Sequence, residues 1–159
     1  ITEMRPDGCK VIIYRQQAAD LRLAPQEIDR SQVASARALL VTGTALSASP
    51  SREACLYAMT LARKAGTTVV LDMDYRPYGW DSEAQASVYL QVACGMADVV
   101  IGNREEFDVL DLQDSAAGAG ARRLLEGATR VVLVKDGAAR LIQRRETYDD
   151  LLRTQVGLD

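Results

Sequence analysis

Five short runs of β-branched and aliphatic residues constrain this chain more than any other feature: Lys10 to Tyr14, Ala38 to Thr42, Thr67 to Met73, Asp98 to Ile101 and Arg130 to Lys135. None shows the strict apolar-polar alternation of a strand with one wet face. They read as strands covered on both faces, and the helix-periodic stretches between them supply the cover. The expected class is α/β. Right-handed crossovers between such units build a parallel, doubly wound sheet whose ligands sit beyond the carboxyl ends of the strands.

The helices announce themselves by their start signals. Ser49-Pro50-Ser51-Arg52-Glu53 offers a capping serine, a proline at the first helical position and an early glutamate; Ala54, Tyr57, Ala58, Leu61 and Ala62 then recur at helical spacing up to Gly66. Asp81-Ser82-Glu83 caps a second helix toward Cys94. Pro25 to Arg37 carries Ile28, Val33 and Ala36 as a third, and Ala116 to Leu125 makes a fourth.

Composition removes several chemistries. Histidine is absent, which excludes Ser-His-Asp and Cys-His mechanisms and His-ligated metals, leaving carboxylates, Arg, Lys and backbone amides. A net charge of −3 argues against nucleic acid and anionic membrane as partners. No apolar run approaches the ~20 residues of a membrane span. Cys9, Cys55 and Cys94 are widely spaced and odd in number, so buried thiols in a reducing cytoplasm are expected rather than disulfides or a metal site. The chain opens on Ile1, which reads as processing or as membership of something longer.

Three loops follow strands. Asp72-Met73-Asp74-Tyr75-Arg76-Pro77-Tyr78-Gly79-Trp80 is dense in ligand-binding side chains, Arg76 being suited to fork onto a carboxylate or phosphate; the plain alternative is a surface turn with an Arg-Asp salt bridge. Asn103 and Glu106 have the spacing of a capping box, and alternatively of a pair holding hydrated Mg²⁺ near a nucleotide phosphate. Asp136-Gly137 joins two strand-like runs, Arg130 to Val134 and Ala139 to Gln143, as a hairpin would.

In this order the loops resemble the ribokinase-like (PfkB) carbohydrate kinases. The resemblance rests on Cys9 to Arg15, Thr42-Gly43-Thr44-Ala45-Leu46 with Ser49 to Glu53, Asp72 to Trp80, and Ala97 to Val100 with Asn103-Arg104-Glu105-Glu106-Phe107. It implies a ribokinase-like three-layer α/β/α fold, Rossmann-like and incomplete, with residues 1–143 as the central part of a kinase domain and 144–159 as a charged tail. It implies a cytoplasmic enzyme that transfers the γ-phosphoryl group of ATP, with Mg²⁺, to the primary hydroxyl of a sugar acid. The acid would be 5-dehydro-2-deoxygluconate, with 2-keto-3-deoxygluconate the neighbouring alternative. Tyr14 and Arg15 would meet the acid, Arg76 the acid or the phosphate in transit, Asn103 and Glu106 the metal and nucleotide phosphates, and Lys135 and Gly137 the nucleotide turn.

The departures from the pattern set further expectations. The family's Gly-Ala-Gly-Asp element, which supplies the general base, does not occur here: Gly118-Ala119-Gly120-Ala121 ends in alanine and precedes the fifth run. Arg140 replaces a glycine of the nucleotide turn, and Asp149 and Asp150 lack a glycine-rich approach. The chain alone is expected to be catalytically inactive, a truncated or non-catalytic nucleotide-binding module of the fold. With the family's first strands and lid absent, apolar sheet surface should be exposed and copies should associate.

Overall fold

The computed structural model describes residues 18–110 and 119–136 with their side chains, Asp136 excepted, and residues 2–5, 8–11 and 139–144 by their backbone. Tyr14, Arg15, Gly137 and the tail from 145 to 159 lie outside the described residues.

The main sheet has five strands in sequential order: β3 (Ala38–Thr42), β4 (Thr68–Asp72), β5 (Val99–Asn103), β6 (Val131–Asp136) and β7 (Ala139–Arg144). The first four are parallel, and β7 turns back antiparallel on β6, as the Asp136-Gly137 signal suggests. The first apolar run is described only at Lys10 and Val11. Its described part belongs to β2 (Gly8–Val11), which pairs antiparallel with β1 (Thr2–Arg5) in a sheet of two strands.

Among the described residues, the strands are covered by helices on one face. Val41, Leu71, Val100 and Val132 align across the sheet and are all buried. Leu40, Val70, Val99 and Val131 form the next row, on the opposite face; Leu40 is 64% exposed and the others are half-buried. The order β3-β4-β5-β6 contains no reversal, so right-handed crossovers place the connecting helices on one side. The described residues therefore form a parallel sheet with one packed helical layer, an incomplete α/β/α sandwich.

Helix α2 (Ser51–Ala65) ends where expected. Gly66 takes a left-handed φ of 77°, and its N–H donates to Ala62 and Arg63. Its start is shifted: Pro50, not Ser49, occupies the capping position, and the Ser51 hydroxyl donates back to the Ala45 and Ala48 carbonyls. Helix α3 (Glu83–Met96) starts as read, with Ser82 Oγ accepting from the Gln85 N–H at 3.1 Å.

The single helix expected over Pro25 to Arg37 is instead a short turn, Pro25–Glu27, followed by α1 (Arg30–Ser35). Asp29 breaks it by accepting from the Ser31 and Gln32 N–H groups, which begins a new helix. Ala36 is exposed, and the segment is anchored by buried Val33, with half-buried Ile28 packed against the same core. After β5 comes α4 (Arg104–Asp108), and α5 is described over Ala119–Glu126, the expected start at Ala116 lying outside the described residues. Cys94 is buried, Cys55 half-buried, and the Cys9 side chain is not described.

Candidate functional site

The carboxyl ends of β3, β4, β5 and β6 bring polar side chains together through contacts that sequence spacing does not reveal. At the end of β3, Gly43 lets the chain pass against the loop after β4; a Cβ there would overlap the Met73 carbonyl oxygen. The Met73 N–H donates to Ile101 at 2.8 Å and prolongs the β4–β5 ladder. Asp74 then adopts a φ of 32°, a left-handed conformation that Asp tolerates better than most residues. That bend aims its carboxylate back at β3, where Oδ2 accepts from Thr44 Oγ1 at 3.0 Å, and Thr44 in turn meets Thr42 Oγ1 at 3.1 Å. The other oxygen of Asp74 holds Arg76 Nη2 at 2.7 Å.

On its far side Arg76 approaches Glu106, with Nη1 at 4.0 Å from Oε1. Glu106 is 4% exposed. Its Oε1 accepts from the Tyr75 N–H at 3.1 Å and its Oε2 from the Asn103 N–H at 2.7 Å, while Asn103 Oδ1 accepts from the Glu106 N–H at 2.8 Å. The last two bonds are a complete capping box on α4. Lys135, at the end of β6, lies 3.3 Å from Asp72 Oδ1 at the end of β4. Of the residues singled out from the sequence, Asn103 and Glu106 are hydrogen-bonded to each other, Arg76 lies beside them at 4.0 Å from Glu106, and Lys135 stands at the same edge of the sheet.

The Arg76–Asp74 pair is the Arg-Asp salt bridge that the plain reading of this loop offered. Other contributors were not evident from spacing: Thr44 braces Asp74, and Asp72 partners Lys135. Arg52 fixes the loop after β3: its Nε donates to the Leu46 carbonyl at 2.8 Å and its Nη2 to Ser47 at 2.6 Å. Its guanidinium sits 4.0 Å from the Tyr89 ring centroid, and Tyr89 stacks on the buried Trp80. A cation in the first turn of a helix opposes the helix dipole, and that anomaly was the available signal.

The donor set tests the fit of a metal. Among the described residues no group of three or more Asp, Glu, Cys or His is placed to hold one. Both Glu106 oxygens and Asn103 Oδ1 are engaged by backbone N–H groups. Mg²⁺ needs open ligand oxygens with room for its retained waters, so this pair does not fit a direct protein-held Mg²⁺ site.

The pfkB family carbohydrate kinase model matches residues 1–142. The chain belongs to that family. Among relatives of this pfkB member, the 5-dehydro-2-deoxygluconokinase of Photobacterium profundum is 51% identical over 140 residues, covering 86% of this chain and 42% of that protein. The 5-dehydro-2-deoxygluconokinase of Shouchella clausii is 44% identical over 152 residues, covering 91% and 46%. The chain thus spans less than half the length of these relatives. Of solved structures, fructokinase with bound ATP from Xylella fastidiosa matches with a TM-score of 0.77 and 25% identity, over 88% of this chain and 45% of that one. Fructokinase from Vibrio cholerae, in a form with fructose, ADP and calcium bound, matches with a TM-score of 0.70 and 23% identity, over 87% and 44%. The sheet and helices described above are therefore part of the three-layer pfkB kinase fold. No helix among the described residues is long and apolar enough to cross a membrane.

Proposed function

We propose that this chain serves an ATP-dependent sugar kinase acting on 5-dehydro-2-deoxy-D-gluconate. The reading is carried by one observation: Arg76, a partly exposed guanidinium fixed by Asp74 and Glu106, stands at the ligand-binding edge of a pfkB kinase sheet. Relatives named for that activity support the choice of acid. The sugar's primary hydroxyl attacks the γ-phosphorus, the bond to the β-phosphate oxygen breaks, ADP leaves, and the hydroxyl proton passes to a general base.

In this reading Tyr14, Arg15 and Arg76 receive the acid. Asn103, Glu106, Lys135 and Gly137 shape the nucleotide side, and Mg²⁺ enters as the companion of the ATP phosphates. No Gly-Ala-Gly-Asp element occurs in the 159 residues, so by themselves they are proposed to bind without transferring the phosphoryl group. A cytoplasmic setting suits ATP chemistry and the unpaired Cys55 and Cys94, and self-association through the open sheet face completes the proposal.

Two assays test it. The full-length polypeptide carrying this sequence is expected to release ADP from ATP and Mg²⁺ only when 5-dehydro-2-deoxygluconate is added. Faster turnover of 2-keto-3-deoxygluconate would reassign the substrate. Turnover by the 159-residue protein alone would overturn its proposed inactivity, and sedimentation of that protein reads its self-association.

A further inference from the structure

We infer that Glu106 is a positioning residue for the acid-binding Arg76 loop rather than a ligand of the metal, an assignment that rests on the reading just given. A carboxylate withdrawn from water is costly unless its lone pairs are filled. The side chain of Glu106 is 5% exposed, and its two oxygens are filled from different strand ends. Tyr75 donates from the loop after β4 and Asn103 from the end of β5. Glu106 is thus a strut between the segment that carries Arg76 and the turn that opens α4.

The surroundings fix the strut in place. A Cβ added to Gly102 would meet Glu106 Oε2 at 3.3 Å and the Phe107 ring at 3.1 Å, so the carboxylate packs closely over the Gly102 backbone. Arg76 is clasped from the other side by Asp74, which Thr44 anchors to β3. Moving Glu106 toward a cation would withdraw an acceptor from a main-chain N–H and loosen the Tyr75-Arg76 backbone at the same time. Its geometry suits holding Arg76 at a set height above the sheet, and suits coordination poorly.

The test separates the two roles. Glu106→Gln keeps the shape but puts an NH₂ group where one backbone N–H needs an acceptor. In the full-length polypeptide carrying this sequence, the variant is expected to raise KM for 5-dehydro-2-deoxygluconate about tenfold or more, the scale of a lost charge-assisted hydrogen bond. The free Mg²⁺ concentration for half-maximal rate should stay unchanged. Arg76→Gln should raise the same KM, and adding Glu106→Gln to it should raise it little further. A rise in the Mg²⁺ requirement, or an unchanged KM, overturns the assignment. Should the variant fail to fold, the wild-type protein decides: Mn²⁺ without nucleotide is expected to leave the amide resonances of Tyr75, Asn103 and Glu106 sharp, and selective broadening there overturns the strut. The Mn²⁺ measurement requires no turnover, so it stands even if the proposed substrate is wrong.

Discussion

The two faces of the sheet share strands and residue types but not environment. On one, Val41, Leu71, Val100 and Val132 pack beneath α2, α3 and α5 with at most 5% of their surface exposed. On the other, Leu40 is 64% exposed and Val70, Val99, Ile101, Val131 and Leu133 are half-buried. Branched aliphatic side chains at such positions gain little where they are left wet, whereas full burial of each stabilises by about 1.5–3 kcal/mol. The second face thus carries residues suited to a cover that the described residues do not supply. In relatives more than twice as long, there is chain enough for such a layer.

Substitutions on either side put that contrast to measurement. Leu71→Ala, which empties a fully buried site, is expected to cost about 2–5 kcal/mol in urea unfolding. At concentrations low enough to keep the protein monomeric, Leu40→Ala should stay within about 0.5 kcal/mol, as at ordinary surface positions. Equal costs would mean that the Leu40 face is covered in solution. Gly43→Ala, whose new methyl would collide with the Met73 carbonyl on the way to the site, is expected to lose about 1–3 kcal/mol and to displace the Arg76 loop. A shifted amide spectrum confined to residues 43–47 and 73–76 would register it.

The packed side also has a chemical signature. Burial pushes the Cys94 thiol up to about 12, whereas the same residue in an unfolded chain ionises near its ordinary value of 9.0. The folded state holds the proton more tightly, so this contribution to stability is complete below pH 9 and is lost as pH rises from there toward 12. Thermal melts across that range should fall with pH, and Cys94→Ala should flatten the fall. At neutral pH a thiol reagent is expected to modify half-buried Cys55 well before Cys94.

A modest effect belongs to the exposed start of α1. Hydrogen bonds from the Ser31 side chain and from the Gln32 and Ser31 backbone hold the Asp29 carboxyl below its usual 3.8. Its capping contribution is present above that value and disappears as pH falls through the lowered one. Asp29→Ala should destabilise slightly at neutral pH and progressively less in acid, read by unfolding at each pH.

What the sequence disclosed and what it withheld divide along chain distance. The Asn103-Glu106 capping box, the Gly66 stop and the Ser82 cap are all closed within four residues, so their spacing gave them away. Local signals misled only where a competing local bond intervened. Asp29 opened a second start inside an expected helix, and Ser51 turned its hydroxyl back to Ala45 and Ala48. The bonds that build the site join residues some thirty positions apart, Thr44 to Asp74 and Tyr75 to Glu106. They depend on the β3–β4–β5 register, which no short motif encodes. The same holds for the open face: apolar runs state that a strand wants cover, not which part of a polypeptide provides it.

The sequential strand order carries a kinetic consequence as well. Each strand from β4 onward pairs with its immediate predecessor, so no strand waits for a partner not yet made. Each parallel pairing closes over a single crossover, which keeps contacts as local as a parallel sheet allows. A polypeptide emerging from the ribosome can extend this sheet one unit at a time, adding each new strand to a finished edge, and assemble the Arg76 cluster as soon as β5 and α4 have emerged.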